Sequence, residues 1–177
     1  MRMWALGLVV GLALVGVSGD HLDARATGHG LRLPPADSSY GWPLDGVPPV
    51  VRPFAPPPRP WLPGHRGVDL GAAPGATVRS AGSGAVAFAG WVAGRPVVSV
   101  DHPNGLRTTY EPVVPSVVAG QAVRAGDVLG VLAAGHAGCP VAACLHWGLR
   151  SGSGSDAEYL DPLSLLGQRR IRLLPLA

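Results

Sequence analysis

The stretch PGHRGVDLG, residues 63–71, places a histidine, an arginine and an aspartate within five residues of a chain that is otherwise poor in charge. Charged residues make up 14% of the 177 residues, so this cluster is a candidate functional segment. His65 and Asp69 would lie on one side of an extended strand but about 13 Å apart, so a bend must bring them together. Gly64 and Gly67 permit such a bend at little steric cost. Alone, the spacing H-x-x-x-D is a weak indication of a metal site.

A second stretch, CLHWGLR at residues 144–150, supplies a further histidine. Alternate residues of a β-strand face the same side, so Cys144 and His146 would share one face. With His65 and Asp69, His146 completes a set of two histidines and one carboxylate. A catalytic zinc ion takes three such ligands and keeps an open position for water. A histidine on a strand is also frequently a structural residue, and the pattern alone leaves that alternative open.

The region around these two stretches, residues 64–166, is typical of an all-β domain. Short runs rich in valine and alanine alternate with glycine turns, as in an antiparallel sheet or sandwich. The predicted strands are ATVRSAG (76–82), GAVAFAGWV (84–92), RPVVSVDH (95–102), LRTTYEPV (106–113), AVRAGDVLGVLA (122–133) and CLHWGLR (144–150). One short helical turn is predicted at 161–166, where Asp161 precedes Pro162 in the arrangement of a helix N-cap.

The N-terminal residues 1–19 are typical of a secretory signal peptide. Arg2 forms a short positive region, residues 4–17 are continuously apolar, and Val17-Ser18-Gly19 offers a cleavage point. The apolar run is shorter than the roughly 20 residues that a membrane-spanning helix needs. We therefore expect an exported protein, secreted or held in the cell wall. Membrane attachment is expected only if this segment stays uncleaved.

Three further segments flank the β domain. Residues 20–39 are polar and aperiodic, and they predict a flexible spacer. Residues 40–63 are rich in proline, which predicts an extended segment. This segment would pack on the domain through its large aromatic residues or would instead be a disordered linker; the aromatic residues are Trp42, Phe54 and Trp61. Residues 167–177 are predicted to be a solvated tail.

The charge pattern argues against a nucleic-acid partner. The net charge is +3, and all 14 basic residues are arginine. The only cationic cluster is Arg169-Arg170-Ile171-Arg172 in the tail, and no basic run carries interleaved aromatic residues.

The motifs together resemble the lysostaphin/LytM-type zinc metallopeptidases of cell-wall peptidoglycan. The matching stretches, in order, are PGHRGVDLG (63–71), SAGSGAVAFAGW (80–91), VDHPNGLRTTY (100–110), VRAGDVLG (123–130), CLHWGLR (144–150) and YLDPLSLL (159–166). The resemblance covers about residues 40–166. It implies that His65, Asp69 and His146 bind Zn²⁺ and that the substrate is a peptidoglycan peptide. It also implies a two-layer antiparallel β fold of the duplicated-hybrid-motif type, with the site in a groove.

The chain departs from that family at two positions that serve the chemistry. The first histidine of the family's H-x-H is Cys144 here, and the histidine that follows a tyrosine by two residues is Pro112. Proline cannot transfer a proton through its side chain, and losing such a helper typically costs about two to three or more powers of ten in rate. Glu111 and His136 are the candidates to stand in as catalytic residues. His102, at the end of a predicted hairpin, is a third candidate, but it is predicted to be a turn residue.

The two cysteines, Cys139 and Cys144, allow three states. An even number in an exported protein favours a disulfide, which would hold the start of the strand that carries His146. Alternatively, Cys144 is a fourth zinc ligand and makes the site structural. A reactive cysteine–histidine pair is the least favoured state.

Three functions remain open from the sequence. The first is an exported zinc peptidase that hydrolyses cross-link peptides of peptidoglycan. The second is an inactive relative that binds wall peptides or activates another cell-wall hydrolase. The third is a metal-free β domain with an adhesive role. Arg66 and Arg150, one in each motif, are either binders of a substrate carboxylate or solvent-facing charges.

Overall fold

The computed structural model describes residues 40–59 and 61–167. The predicted signal peptide, the spacer and the tail from residue 168 lie outside the described residues. Within them, the strands are β1 Val50–Arg52, β2 Gly67–Ala72, β3 Thr77–Arg79, β4 Gly84–Val92, β5 Arg95–Asp101, β6 Leu106–Glu111, β7 Val113–Pro115, β8 Ala122–Val123, β9 Val128–Leu132, β10 Ala143–Ser151 and β11 Glu158–Leu160. Two short 3₁₀ helices span Gly154–Asp156 and Pro162–Leu165.

The strands form two antiparallel sheets. The larger sheet has the order β1-β2-β10-β6-β5-β4-β8, and β11 also pairs with β10. The smaller sheet has the order β3-β9-β7. The all-β, two-layer antiparallel fold predicted from the sequence is therefore confirmed. The turn at Pro103-Asn104-Gly105 connects β5 to β6, with Gly105 at a φ of +79°.

Strand alternation separates a core face of the large sheet from a second, partly open face. On β10, Leu145, Trp147 and Leu149 are buried, and Trp147 lies opposite Tyr110 of β6. Successive side chains of a strand point to opposite sides, so His146, Gly148 and Arg150 lie on the other face. The core is completed by residues of both sheets: Val68, Leu70, Val78, Val86, Val98, Val100, Val113, Leu129 and Leu132.

The proline-rich segment lies against this core over most of its described length. Tyr40, Trp42 and Phe54 pack on the core cluster, and β1 within the segment pairs with β2. Trp61 differs from the other aromatic residues, because its side chain is 74% exposed. It contacts the guanidinium of Arg59, which lies 5.7 Å from the ring centroid.

The predicted helical turn near the end of the domain is present as the 3₁₀ helix Pro162–Leu165. Its N-cap is Asp161, whose Oδ1 accepts a hydrogen bond of 2.9 Å from the backbone N–H of Leu163. Among the described residues, we find no helix with the length and hydropathy needed to cross a membrane.

His102 is a structural residue and belongs to a buried hydrogen-bond chain. Its Nδ1 lies 2.9 Å from the carbonyl oxygen of Ser83, which can only accept, so Nδ1 carries the proton. Nε2 then accepts from the hydroxyl of Thr108 at 2.8 Å, and Thr108 in turn accepts from the hydroxyl of Tyr110 at 2.9 Å. The Tyr110 oxygen accepts the backbone N–H of Ala81 at 2.9 Å. The chain fixes His102 as a neutral imidazole that joins β6 to the loop before β4.

The buried hydrogen-bond chain through His102 predicts a pH-dependent contribution to the free energy of unfolding. Burial lowers the pKa of His102 below its ordinary value, despite the hydrogen bond to Ser83 and the charge of Asp101. The unfolded chain therefore takes up a proton near its ordinary pKa of about 6.5, while the folded chain does so only at lower pH. The stabilisation is complete above the unfolded pKa and is lost as the pH falls through the folded value.

We expect His102→Gln to lower the free energy of unfolding by about 1–3 kcal/mol near neutral pH, because buried partners lose their hydrogen bonds. The difference from the wild type should shrink on acidification, since glutamine does not titrate. Urea unfolding of both proteins in EDTA, at about pH 7.5 and about pH 5.5, measures this difference. A difference that stays constant or grows at the lower pH would contradict the assignment of His102 as a buried neutral residue.

Candidate metal centre

The register between β2 and β10 brings the two sequence motifs together. His146 lies directly opposite Asp69 in this antiparallel pair, so both side chains project from the same face of the sheet. The same register places Trp147 opposite Val68 on the core face. The Asp69 side chain is fully buried, whereas the His146 side chain is 19% exposed. A one-residue shift of β10 would point His146 into the apolar core and place an apolar side chain of β10 opposite Asp69, so burial fixes this register.

His65 reaches the same point from the segment just before β2. Its backbone N–H and carbonyl both pair with Ala55 of the proline-rich segment, at 2.7 and 3.0 Å. Its Nδ1 lies 2.7 Å from the carbonyl oxygen of Pro53. Because a carbonyl can only accept, Nδ1 carries the proton and Nε2 is the nitrogen that faces Asp69. The proline-rich segment thus selects which nitrogen of His65 is available to a metal.

The glycines around His65 are required for close packing. A Cβ at Gly67 would lie 2.4 Å from the carbonyl oxygen of Trp147 and 2.8 Å from Nε2 of His146. A Cβ at Gly64 would lie 2.5 Å from the ring of Pro57. Neither glycine has a positive φ, so the bend anticipated from the sequence does not depend on left-handed backbone. Their function is to let β10 and the proline-rich segment approach His65 from both sides.

Three ligand atoms converge at this point. Oδ1 of Asp69 is 2.9 Å from Nε2 of His65 and 2.9 Å from Nδ1 of His146, and the two nitrogens are 3.1 Å apart. The three atoms lie within 4.8 Å of one another, close enough to share one ion. The other carboxylate oxygen, Oδ2, is buried with no hydrogen-bond partner among the described residues. Two imidazole nitrogens and a carboxylate oxygen this close together could bind one cation, and two histidines with one carboxylate suit zinc.

A fourth side chain, His136, enters the site from the loop between β9 and β10. Its Nε2 lies 3.3 Å from Oδ1 of Asp69, and its ring stacks on that of His146 with centroids 5.6 Å apart. The side chain is 10% exposed, and Nδ1 is buried with no partner among the described residues. Burial alone would raise the pKa of Asp69, but hydrogen bonds from His136 and His146 hold it well below its ordinary value.

Glu111, the other candidate from the sequence, lies on the same face but is engaged elsewhere. It ends β6 directly opposite His146, and its Oε1 is 2.8 Å from Nε of Arg95. The next residue, Pro112, is buried and follows a cis peptide bond. Of the two candidates, His136 is therefore the one that contacts the converging group of His65, Asp69 and His146.

The cysteines are joined, which settles the three states left open by the sequence. Cys139 and Cys144 form a disulfide, and Cys144 is fully buried at the start of β10. Cys144 is thus neither a zinc ligand nor a free nucleophile. The bond ties the loop that carries His136 to the strand that carries His146.

An open groove with a volume of ≈ 790 Å³ runs past the cluster. One part of its lining is apolar and comes from Phe88, Val92 and Val97 of the β4–β5 hairpin. Glu111, His136 and Thr109 also line it. The cationic side chains of the lining are Arg52, Arg66, Arg95, Arg107 and Arg150.

The profile of Peptidase family M23 matches residues 63–162, which is more than half of the chain and includes His65, Asp69 and His146. The chain belongs to peptidase family M23. The family consists of zinc peptidases related to peptidoglycan hydrolysis, in agreement with the lysostaphin/LytM resemblance. Among its relatives are the uncharacterized proteins Rv2891 of Mycobacterium tuberculosis and Mb2915 of Mycobacterium bovis, each 59% identical over 141 residues. The match covers 80% of this chain and 57% of each relative.

Solved structures of M23-like proteins share the fold. The catalytic domain of lysostaphin from Staphylococcus simulans superposes with a TM-score of 0.55 at 25% identity, covering 67% of this chain and 92% of that domain. Csd3 of Helicobacter pylori superposes with a TM-score of 0.57 at 26% identity, covering 72% of this chain and 33% of Csd3.

Two features of this M23 site had no signal in the sequence. The carbonyl of Pro53 is a backbone group, so residue identity does not reveal that it orients His65. Arg52 faces the site because it lies opposite Asp69 in the pairing of β1 with β2. No turn motif in the sequence predicts this pairing.

Proposed function

We propose that this protein is an exported zinc peptidase that hydrolyses cross-link peptides of cell-wall peptidoglycan. The observation that carries the proposal is the convergence of Nε2 of His65, Oδ1 of Asp69 and Nδ1 of His146 on one point beside an open groove. Two of these residues lie 77 positions apart in the chain, so their meeting depends on the fold. Membership in the M23 family supports the reaction class.

His65, Asp69 and His146 would hold the zinc. Bound there, zinc supplies Lewis acidity, which polarises a peptide carbonyl and lowers the pKa of water. The carbonyl of Pro53 orients His65, as supporting groups around a metal commonly do. The groove orients the peptide, with the apolar β4–β5 hairpin on one side.

We assign to His136 the proton transfer that two helper histidines perform in other members of the family. The positions of those helpers hold Pro112 and the disulfide-bonded Cys144, and neither has a side chain that moves a proton. His136 presents Nε2 to the ligand set at 3.3 Å from Asp69. The disulfide formed by Cys144 anchors the loop that carries His136. Cys144, which stands at the position of one helper histidine, thus helps to hold the side chain that takes over the proton transfer. Glu111, bound to Arg95, is the second candidate for this role.

Export from the cytoplasm would explain both the disulfide and the signal-peptide character of the N-terminal sequence. Disulfides persist in oxidising compartments outside the cytoplasm. Residues 1–19, which have the sequence of a signal peptide, would direct the chain there. Peptidoglycan lies in the same compartment, so location and substrate agree.

The competing function is that of a zinc-holding relative without activity, which binds wall peptides or activates another cell-wall hydrolase. Pro112 and Cys144, at the two helper positions, are the observation that favours it. The two functions share the metal and the groove and differ in turnover.

Elemental analysis of protein purified without chelators, paired with peptidoglycan digestion, separates these functions. We expect about one zinc per chain and the release of new amino groups, because each hydrolysed peptide bond frees one amine. Treatment with a chelator should stop the release, and added zinc should restore it. Full zinc content without amine release would support the competing function. Absence of zinc would contradict both the peptidase and the inactive zinc-binding function.

A further inference from the structure

The groove beside the metal ligands carries an excess of positive charge. Five arginines line it, whereas Glu111 is the only carboxylate among the groove-lining residues that the structure describes, apart from the metal-ligand set. The whole chain has a net charge of only +3, so this excess is concentrated on one face. Clefts that carry one sign of charge attract ligands of the opposite sign.

Two of the five arginines are neutralised by neighbouring carboxylates. Arg95 pairs with Glu111, with Nε 2.8 Å from Oε1. Arg107 pairs with Asp101 through two hydrogen bonds, one of them 2.6 Å from Nη2 to Oδ2. These pairs hold the two guanidiniums against the sheet and leave them less available to a ligand.

Arg52 and Arg150 are different, because neither forms a salt bridge within residues 40–59 and 61–167. Arg150 lies on the same face of β10 as His146, four residues further along, which corresponds to about 13 Å of strand. Arg52 lies opposite Asp69 on the neighbouring strand β1. Its guanidinium lies near Gly138 in the loop that carries His136, with Nη1 3.8 Å from the position that a Cβ would take at Gly138. The two guanidiniums thus flank the metal ligands from two directions, one along the strands and one across them.

We propose that Arg150 and Arg52 bind free carboxylates of the substrate peptide, so that the groove selects anionic cross-link peptides over neutral ones. A guanidinium matches a carboxylate through two parallel hydrogen bonds, which makes arginine the suitable residue for this recognition. An extended peptide advances about 3.3 Å per residue, so the carboxylate held by Arg150 lies within about four residues of the scissile bond. The inference rests on the proposed function, whose substrate class it narrows.

Binding to the zinc-free protein tests this inference without interference from hydrolysis or from carboxylate–zinc contacts. The probes are a cross-linked muropeptide dimer purified from peptidoglycan and the same dimer with its carboxyl groups converted to primary amides. We expect calorimetry to give a Kd about tenfold lower for the free acid at about 0.1 M salt. The preference should weaken as the salt concentration rises, because exposed charges are screened.

Arg150→Gln should reduce the preference for the free acid to less than about twofold, and Arg52→Gln should reduce it in part. Arg124→Gln is the matched control, since Arg124 is exposed in a turn that does not line the groove. Equal binding of both probes by the wild type would overturn the inference, as would an undiminished preference in Arg150→Gln. If the protein prefers the free acid but does not hydrolyse peptidoglycan, this inference stands and the proposed peptidase activity is wrong.

Discussion

Asp69→Asn is expected to lower the affinity for zinc by about 100-fold or more and to reduce peptidoglycan hydrolysis by about three powers of ten. Asparagine keeps the size of aspartate but removes the negative charge. That charge lies fully buried, with Nε2 of His65 and Nδ1 of His146 each 2.9 Å from the same oxygen. No other carboxylate belongs to the described three-residue ligand group, so no neighbouring group replaces it.

The zinc content of Asp69→Asn is measured by elemental analysis after equilibration with a competing chelator, and hydrolysis is measured by amine release. Asp45→Asn is the matched control, because its side chain is 75% exposed and pairs with Arg79 on the surface. We expect the control to retain zinc and activity. An Asp69→Asn protein that binds zinc as tightly as the wild type would refute the assignment of Asp69 as a ligand.

The strands that surround Asp69 could be predicted because their signals are local. Valine-rich runs with period two, and turns such as Pro103-Asn104-Gly105, depend on neighbouring residues only. The helix cap at Asp161 is of the same kind, since it depends on the residue that follows. The predicted strands that contain β4, β5, β6 and β10 are each present in the structure.

The site could be predicted only in part, because its geometry depends on contacts between distant segments. The resemblance to a known family predicts the three candidate ligands as a set, whereas spacing alone leaves His65 and Asp69 about 13 Å apart. The structure closes that distance through the pairing of His65 with Ala55, which no local pattern predicts. His102 and His136 illustrate the same limit. Both were candidate histidines, yet one is buried in a structural hydrogen-bond chain and the other lies in the site.

His136→Ala is expected to lower kcat by about 100- to 1000-fold while leaving the affinity for zinc unchanged. The physical reason is that the side chain contacts the ligand set without belonging to the three-atom group that surrounds the candidate metal position. If His136 instead closes the metal shell as a fourth ligand, its removal would release zinc and the site would be structural. The two roles therefore predict opposite changes in the zinc content of the same variant.

The measurement pairs single-turnover amine release with zinc competition against a chelator, both on purified His136→Ala. His102→Gln is the control for the loss of a histidine outside the groove, and we expect its kcat to match that of the wild type below its unfolding temperature. Unchanged kcat in His136→Ala would remove the proton-transfer role, and weakened zinc binding would reassign the residue to the metal shell.

Replacing both cysteines with serine tests how His136 is positioned. The disulfide joins Cys139, three residues after His136, to Cys144, two residues before His146. Without it, the loop gains freedom while His65, Asp69 and His146 stay fixed by the pairing of β2 and β10. We expect this variant to keep its zinc and to lose about tenfold in kcat, less than His136→Ala, because the histidine is still present but visits its position less often. Loss of zinc in the serine variant would show instead that the loop supports the ligands themselves.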